Sequence, residues 1–233
     1  MKRYYAVLLG FLVLIFSGTS AMAAVYDFED GVDAAFSGGD QVITSGYSAY
    51  GFDNYMYMDD QSVTFTITGL ESHTSIDLNF MLAIINSWDG ENSSSSYDPD
   101  YFNVSIDGSP VFSETFSNFD IGDQSYSPPA GVLESHGTNI YSVYGTSASW
   151  FDSAYNMGLD SVFDNIVHTS DTLTVTWWAD GSGWQGGVDE YFAIDNVEIV
   201  LNGTEPVPEP GTMLLLGTGL FGLARIKRRI RKN

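Results

Sequence analysis

The hydrophobic pattern of the central chain has a period of two. Ser62-Val63-Thr64-Phe65-Thr66-Ile67-Thr68 alternates hydroxyl and apolar side chains, which sets one face on a core and one in water. Ile76 to Ile85 reads as a longer and more buried strand. Tyr101-Phe102-Asn103-Val104-Ser105-Ile106 alternates again, turns at Asp107-Gly108 and returns as Val111-Phe112-Ser113-Glu114-Thr115-Phe116. Asp-Gly accepts the positive φ angles of a type I′ turn, so this is the strongest hairpin in the chain. Thr172 to Trp178 and Tyr191 to Val200 predict two further strands, and no amphipathic helix longer than two turns stands out. Many short strands separated by Gly, Asn and Ser turns predict an all-β fold, an antiparallel β-sandwich of the jelly-roll kind, over residues 24–201. The Ser93 to Ser96 patch and the Asp120 to Gly137 stretch, with Pro128-Pro129, read as surface loops.

The two ends have a different pattern. Lys2-Arg3, an apolar run from Tyr4 to Phe16 and small residues leading to Ala21-Met22-Ala23 form a secretory signal peptide with cleavage expected after Ala23. At the other end, a short linker over residues 202–207 leads to Pro208-Glu209-Pro210, an uncharged run from Gly211 to Ala224 and a basic tail from Arg225 to Asn233. The dense cations keep that tail in the cytoplasm while the chain ahead of it is translocated. Fourteen helical residues reach about 21 Å at ~1.5 Å each, short of the roughly 30 Å hydrocarbon core. Three glycines weaken the helix further. An ordinary single-pass anchor and a transient anchor cut near the Pro-Glu-Pro both fit, and the short run favours the transient one.

Val207-Pro208-Glu209-Pro210, the short Gly-containing apolar segment and the Arg/Lys tail together resemble the PEP-CTERM sorting signal of Gram-negative bacteria. The likeness covers the last 27 residues. It implies that Val207, Pro208, Glu209 and Pro210 are recognised by a membrane peptidase of the exosortase type, with the inner membrane as a transient host. The product would then reach the cell surface or the extracellular matrix, in organisms that make exopolysaccharide and biofilm. What it implies is an address, not an activity.

Charge sharpens the picture. All eight basic residues lie in the two end segments, at positions 2, 3, 225, 227, 228, 229, 231 and 232, and all thirty Asp and Glu lie between Asp27 and Glu209. The exported domain thus has a formal charge near −30 with no lysine or arginine. No internal salt bridge is expected, and its carboxylates must be solvated, bonded to N–H and hydroxyl groups, or neutralised by metal cations. Nucleic acid is excluded as a partner because nothing can neutralise phosphates. Aromatics at 15% and hydrophobics at 44% exclude an acidic disordered chain. There is no cysteine, so disulfides do not staple the fold, and calcium is the expected substitute.

Three stretches could carry chemistry. Ser87-Trp88-Asp89-Gly90, followed by Asp98-Pro99-Asp100, offers an exposed ring at Trp88, with oxygen ligands nearby at Glu91, Asp98 and Asp100; the same acids would equally end strands and form Asx turns. Gly183-Trp184 opens the second stretch, which ends in Ala193-Ile194-Asp195-Asn196-Val197. A carboxylate inside that apolar strand needs a metal or several N–H donors. Tyr26-Asp27-Phe28-Glu29-Asp30-Gly31 is the third, and a jelly roll brings first and last strands together, so Glu29 is expected beside Asp195.

Phe28-Glu29 and Ala193-Ile194-Asp195-Asn196-Val197 resemble the terminal strands of galactose-binding-like jelly rolls and carbohydrate-binding modules. That resemblance implies a structural calcium ion held by Glu29 and Asp195. His73, His136 and His168 are too scattered for a zinc motif, no G-x-S-x-G elbow is present, and thirty acids make chance glycosidase-like pairs unavoidable, so an enzyme is not expected. Two readings stay open. One is a binding module for exopolysaccharide or another surface glycan, stacking sugars on Trp88, Trp184, Tyr97 or Trp150 with Asp89 and Asp100 bonding hydroxyls. The other is a structural matrix or adhesion protein cross-linked through divalent cations.

Overall fold

The computed structural model describes residues 21–39, 41–43, 48–58, 62–91, 99–138, 151–187 and 189–203. They fall within one compact unit, Ser20–Thr204. Residues 1–20 of the signal peptide, the sorting segment, the serine patch, Tyr97, Asp98 and Trp150 lie outside the described residues. Among the described residues no helix is long and apolar enough to cross a membrane.

The described residues form thirteen strands in chain order: β1 (Ala21–Tyr26), β2 (Phe36–Gly38), β3 (Gln41–Ile43), β4 (Tyr55–Met58), β5 (Val63–Thr68), β6 (Ser75–Asn86), β7 (Tyr101–Ile106), β8 (Ser109–Thr115), β9 (Leu133–Thr138), β10 (Asp152–Asn156), β11 (Ile166–Val167), β12 (Thr172–Asp180) and β13 (Glu190–Asn202). They form two antiparallel sheets. The first has the order β3-β4-β13-β6-β10-β9, with β1 added along β13 and β11 along β6; the second has the order β2-β5-β12-β7-β8.

Eight of these strands make the frame. β4-β13-β6-β10 face β5-β12-β7-β8, and the chain crosses between sheets at every connection among them except the β7–β8 hairpin. That is the double Greek key of a jelly roll, as the strand pattern predicts. Asp107 and Gly108 both take positive φ, 49° and 76°, in the expected tight turn.

The core lies between the sheets. Alternation along β6 sends Ile76, Leu78, Phe80, Leu82 and Ile84 into it, and β12 contributes Leu173, Val175 and Trp177. The first sheet is buried on its other side as well, where Tyr55, Tyr57, Met81, Ala83, Ile85 and Tyr191 form a second apolar cluster with Phe52. This explains why Ile76 to Ile85 reads as a nearly continuous hydrophobic run.

Two expectations need revision and a third is untouched. The stretch from Asp120 to Gly137 is not a loop throughout, because β9 begins at Leu133 and pairs with β10. Its sequence, Leu-Glu-Ser-His-Gly-Thr, lacks an apolar alternation because the strand is an edge with half-exposed side chains. Secondly, β1 starts at Ala21, ahead of the expected cleavage point, yet Ala24, Val25 and Tyr26 pair with Ile199, Glu198 and Val197. Cleavage after Ala23 would leave those three pairs in place. Thirdly, a histidine can take the place of the missing lysine and arginine: His168 Nε2 lies 3.2 Å from Asp107 Oδ2, an ion pair only while the imidazole is protonated.

Candidate functional site

Glu29 and Asp195, expected beside one another, each accept from a backbone amide ahead of β4. In the Asp195 region β13 carries a bulge: its register against β6 shifts between Asp195 and Glu198, and Asn196 takes φ 50°. Alternation sets Asp195 on the side of Tyr191 and Ala193, away from the main core, where it is 1% exposed, and the bulge brings Val197 instead of Asn196 into that core. Asp195 Oδ1 accepts from the Asn196 amide at 2.7 Å, and Oδ2 accepts from the Asp53 amide at 3.2 Å and from Asn196 Nδ2 at 3.3 Å. The next amide, Asn54 N–H, donates to Glu29 Oε1 at 2.8 Å. Two consecutive peptide groups ahead of β4 thus each hold one of the two carboxylates.

Of the two means of keeping Asp195 that the sequence leaves open, the N–H donors are present. They do not restore ordinary acidity. Burial pushes the Asp195 carboxyl up to about 7, with Asp27 and Glu29 pushing the same way against the bonds from Asn196 and Asp53.

A second acidic group forms at the end of the sandwich where β6 ends and β13 begins. Asp89, Asp100 and Glu190 each bring one carboxylate oxygen to within 4.8 Å of the others. Asp100 and Glu190 are 0% exposed and Asp89 is half-buried. The loop is tied to itself, since the Asp89 amide donates to Asp100 Oδ2 at 2.6 Å and the Asp100 amide donates to the Asp89 carbonyl at 3.0 Å. Gly90 is required here, because a Cβ would collide with the Asp123 carbonyl, and Gly181 is required against the Pro99 carbonyl. Glu190 accepts from the Gln185 and Gly186 amides, at 2.5 and 3.3 Å, and from Gln185 Nε2 at 3.2 Å. Burial still pushes its carboxyl up to about 7.

Three hard oxygen donors around one point suit calcium, which sits 2.3–2.6 Å from each ligand and so separates opposing oxygens by up to about 5 Å. Of these residues, Asp100 was legible as an oxygen ligand and Asp89 only as a sugar contact; Glu91 is exposed and does not join the group. Glu190 was not singled out, although Asp189-Glu190 ahead of an apolar strand is an unusual place for acids; only the β6–β13 pairing, with Glu190 opposite Asn86, carries it to the Asp89 loop.

The tryptophans are redistributed. Trp88 is not an exposed platform: it is 0% exposed, donates from Nε1 to the Tyr191 carbonyl at 2.6 Å, and packs edge-on against Phe116 and Trp184. Asn86 at φ 69° ends β6 and folds the chain inward at that point, so the ring enters the core instead of the solvent. Trp184 remains half-buried, with its ring centroid 5.0 Å from that of Trp88. The histidines are less scattered than the sequence suggests, because His73 Nε2 lies 2.6 Å from His168 Nδ1 in a stacked pair.

Residues 206–229 match the PEP-CTERM protein-sorting motif. That segment, with Val207, Pro208, Glu209 and Pro210, lies outside the described residues. The match makes the C-terminal segment a sorting address of the exosortase type, implying export and transient anchoring in the membrane. No curated protein matches the chain. Among solved structures it is similar to the C-terminal family 22 carbohydrate-binding module of Clostridium thermocellum Xyn10B, at 14% identity, TM-score 0.32, and coverage of 80% of this chain and 96% of that one. It is also similar to the K3 cleaved adhesin domain of Lys-gingipain from Porphyromonas gingivalis w83, at 10% identity, TM-score 0.36, 78% and 100% coverage. The catalytic domain of a GH87 alpha-1,3-glucanase matches at 13% identity and TM-score 0.32, covering 83% of this chain and 30% of that one. Likenesses of this size carry no functional weight, and the jelly-roll assignment rests on the strand order.

Proposed function

We propose that this is an exported, exosortase-sorted protein of the cell surface or extracellular matrix whose jelly-roll domain binds polysaccharide without catalysis and is stabilised by calcium. The observation that carries the address is the sorting motif over residues 206–229. Sugar binding is supported by the jelly-roll frame and by the end of the sandwich that carries Asp89, Asp100 and Glu190, where half-buried Trp184 packs on Trp88 and the next residue, Gln185, donates to Glu190. An aromatic ring beside fixed carboxylates and amides is the usual chemistry for gripping a sugar.

Calcium is supported by the same charge balance that the sequence displays. Asp100, Glu190 and Asp195 are all buried in a domain with no lysine or arginine. Asp89, Asp100 and Glu190 would hold the ion as three carboxylates within reach of one point, and Glu29 with Asp195 offers a second, smaller pair. Bound there, calcium would supply positive charge that keeps these carboxylates ionised inside the fold.

The deciding experiment is a polysaccharide and glycan screen on the full chain, solubilised in mild detergent, with calcium and again with chelator. Binding to a defined glycan is the expected result. Silence across the screen from a folded sample would overturn sugar binding and leave a cation-linked matrix protein in its place.

A further inference from the structure

The two sheets differ in what they turn outward. On the first, the Tyr57 and Tyr191 rings lie 4.7 Å apart but are only 3% and 2% exposed, so they present no surface. On the second, alternation along β12 sends Leu173, Val175 and Trp177 inward and leaves Thr172, Thr174, Thr176, Trp178 and Asp180 on the outer face. Trp177 is fully buried, whereas Trp178 is half-buried and belongs to neither apolar cluster.

Trp178 is nonetheless held in place. Its Nε1–H donates to Asp180 Oδ2 at 3.0 Å, and Asp180 Oδ1 accepts from Asn103 Nδ2, also at 3.0 Å. Asn103 is the cross-strand partner of Trp178 on β7, so one carboxylate fixes both the indole and the amide beside it. With the N–H already bonded, what the indole has left to offer a ligand is its ring face.

Toward β5 the same face continues as paired hydroxyls. Thr64 stands opposite Thr176, Thr66 opposite Thr174 and Thr68 opposite Thr172, and the first pair has its Oγ1 atoms 3.2 Å apart. With ~4.8 Å between strands and ~6.8 Å between alternate residues, these rows extend for roughly 14 Å along the sheet.

We propose that this outer face of the second sheet binds a neutral polysaccharide, with one sugar ring stacked on Trp178 and hydroxyls of the adjoining sugars bonded by the threonine pairs. The inference rests on the polysaccharide-binding reading above and names its contact surface and ligand class. Neutrality follows from charge. Between Tyr4 and Ala224 there is no lysine or arginine, so a uronate-rich or sulfated polymer meets repulsion here. Both oxygens of Asp180, the carboxylate at the ring, are engaged in holding the platform, so contact at this face does not depend on calcium.

The test is affinity electrophoresis of the detergent-solubilised full chain in gels containing xylan, mixed-linkage β-glucan or dextran, with alginate as the acidic polymer. Trp178→Ala, Trp178→Phe and Trp184→Ala are run beside the wild type, with and without chelator, and circular dichroism confirms that each variant is folded. Retardation by at least one neutral polymer is expected, unchanged by chelator and by salt. Trp178→Ala should weaken it about tenfold or more, the cost of losing one central aromatic contact, while Trp178→Phe keeps most of it. Binding unaffected by Trp178→Ala but lost in Trp184→Ala would place the sugar at the loop end and overturn this inference alone. Absence of binding to every polymer would overturn the parent reading as well. Retardation by alginate only, and only with calcium, would refute the neutral ligand class.

Discussion

Asp195 makes a quantitative demand on how this domain responds to pH once calcium is removed. The carboxyl is 1% exposed, and its proton is held to about pH 7 in the fold against 3.8 for the ordinary side chain. Below about pH 4 it is protonated in both folded and unfolded chains and costs nothing. Between about pH 4 and 7 the unfolded chain releases the proton while the fold retains it, so stability falls as pH rises through that window and levels off above it. Three units at ~1.4 kcal/mol each set a ceiling of about 4 kcal/mol; solvent screening at the rim of the site reduces this to about 2. Asp195→Asn has no proton to release. Its amide would confront the Asp53 or Asn196 N–H donors and lower stability at every pH, but its slope should be flatter than that of the wild type. Urea denaturation of both proteins in chelator, at intervals from pH 4 to 8, measures the difference. Glu190, whose carboxyl is also pushed up to about 7, contributes the same slope to both proteins and cancels in the comparison. Equal pH slopes would refute the assignment of a strained, buried carboxyl to Asp195.

Other outcomes follow from the same structure. Calcium should raise the melting temperature relative to chelator, and Glu190→Gln or Asp100→Asn should reduce that rise; a melting temperature indifferent to calcium would remove the metal from the account. Trp88→Ala should cost about 3–5 kcal/mol in urea denaturation, because it empties a fully buried site and orphans the Tyr191 carbonyl, and a loss below about 1 kcal/mol would contradict its place in the core. Replacing Pro208 and Glu209 together by alanine should retain the protein in the membrane fraction of its own cells, and normal release of this variant would count against processing at that motif.

The chain alone was enough for the architecture of its well-patterned parts. Alternation over Ser62 to Thr68, the Asp107-Gly108 turn and the apolar run from Ile76 to Ile85 correspond to β5, the β7–β8 hairpin and β6, because period-two burial and turn chemistry are local properties. The segregation of every lysine and arginine into the two ends and the sorting motif were equally legible. Strands such as β9, β10 and β11 were not, since Leu133–Thr138, Asp152–Asn156 and Ile166–Val167 are short and draw their order from the partners they dock on. Tertiary structure also decided which tryptophan faces water. Trp88 looks like a loop residue until the left-handed turn at Asn86 folds it inward, and Trp178 looks interchangeable with Trp177 until the pleat assigns one to each face of β12. Glu190 joined Asp89 and Asp100 for the same reason: residues about a hundred positions apart become neighbours only through the β6–β13 register, and register is a property of the assembled sheet.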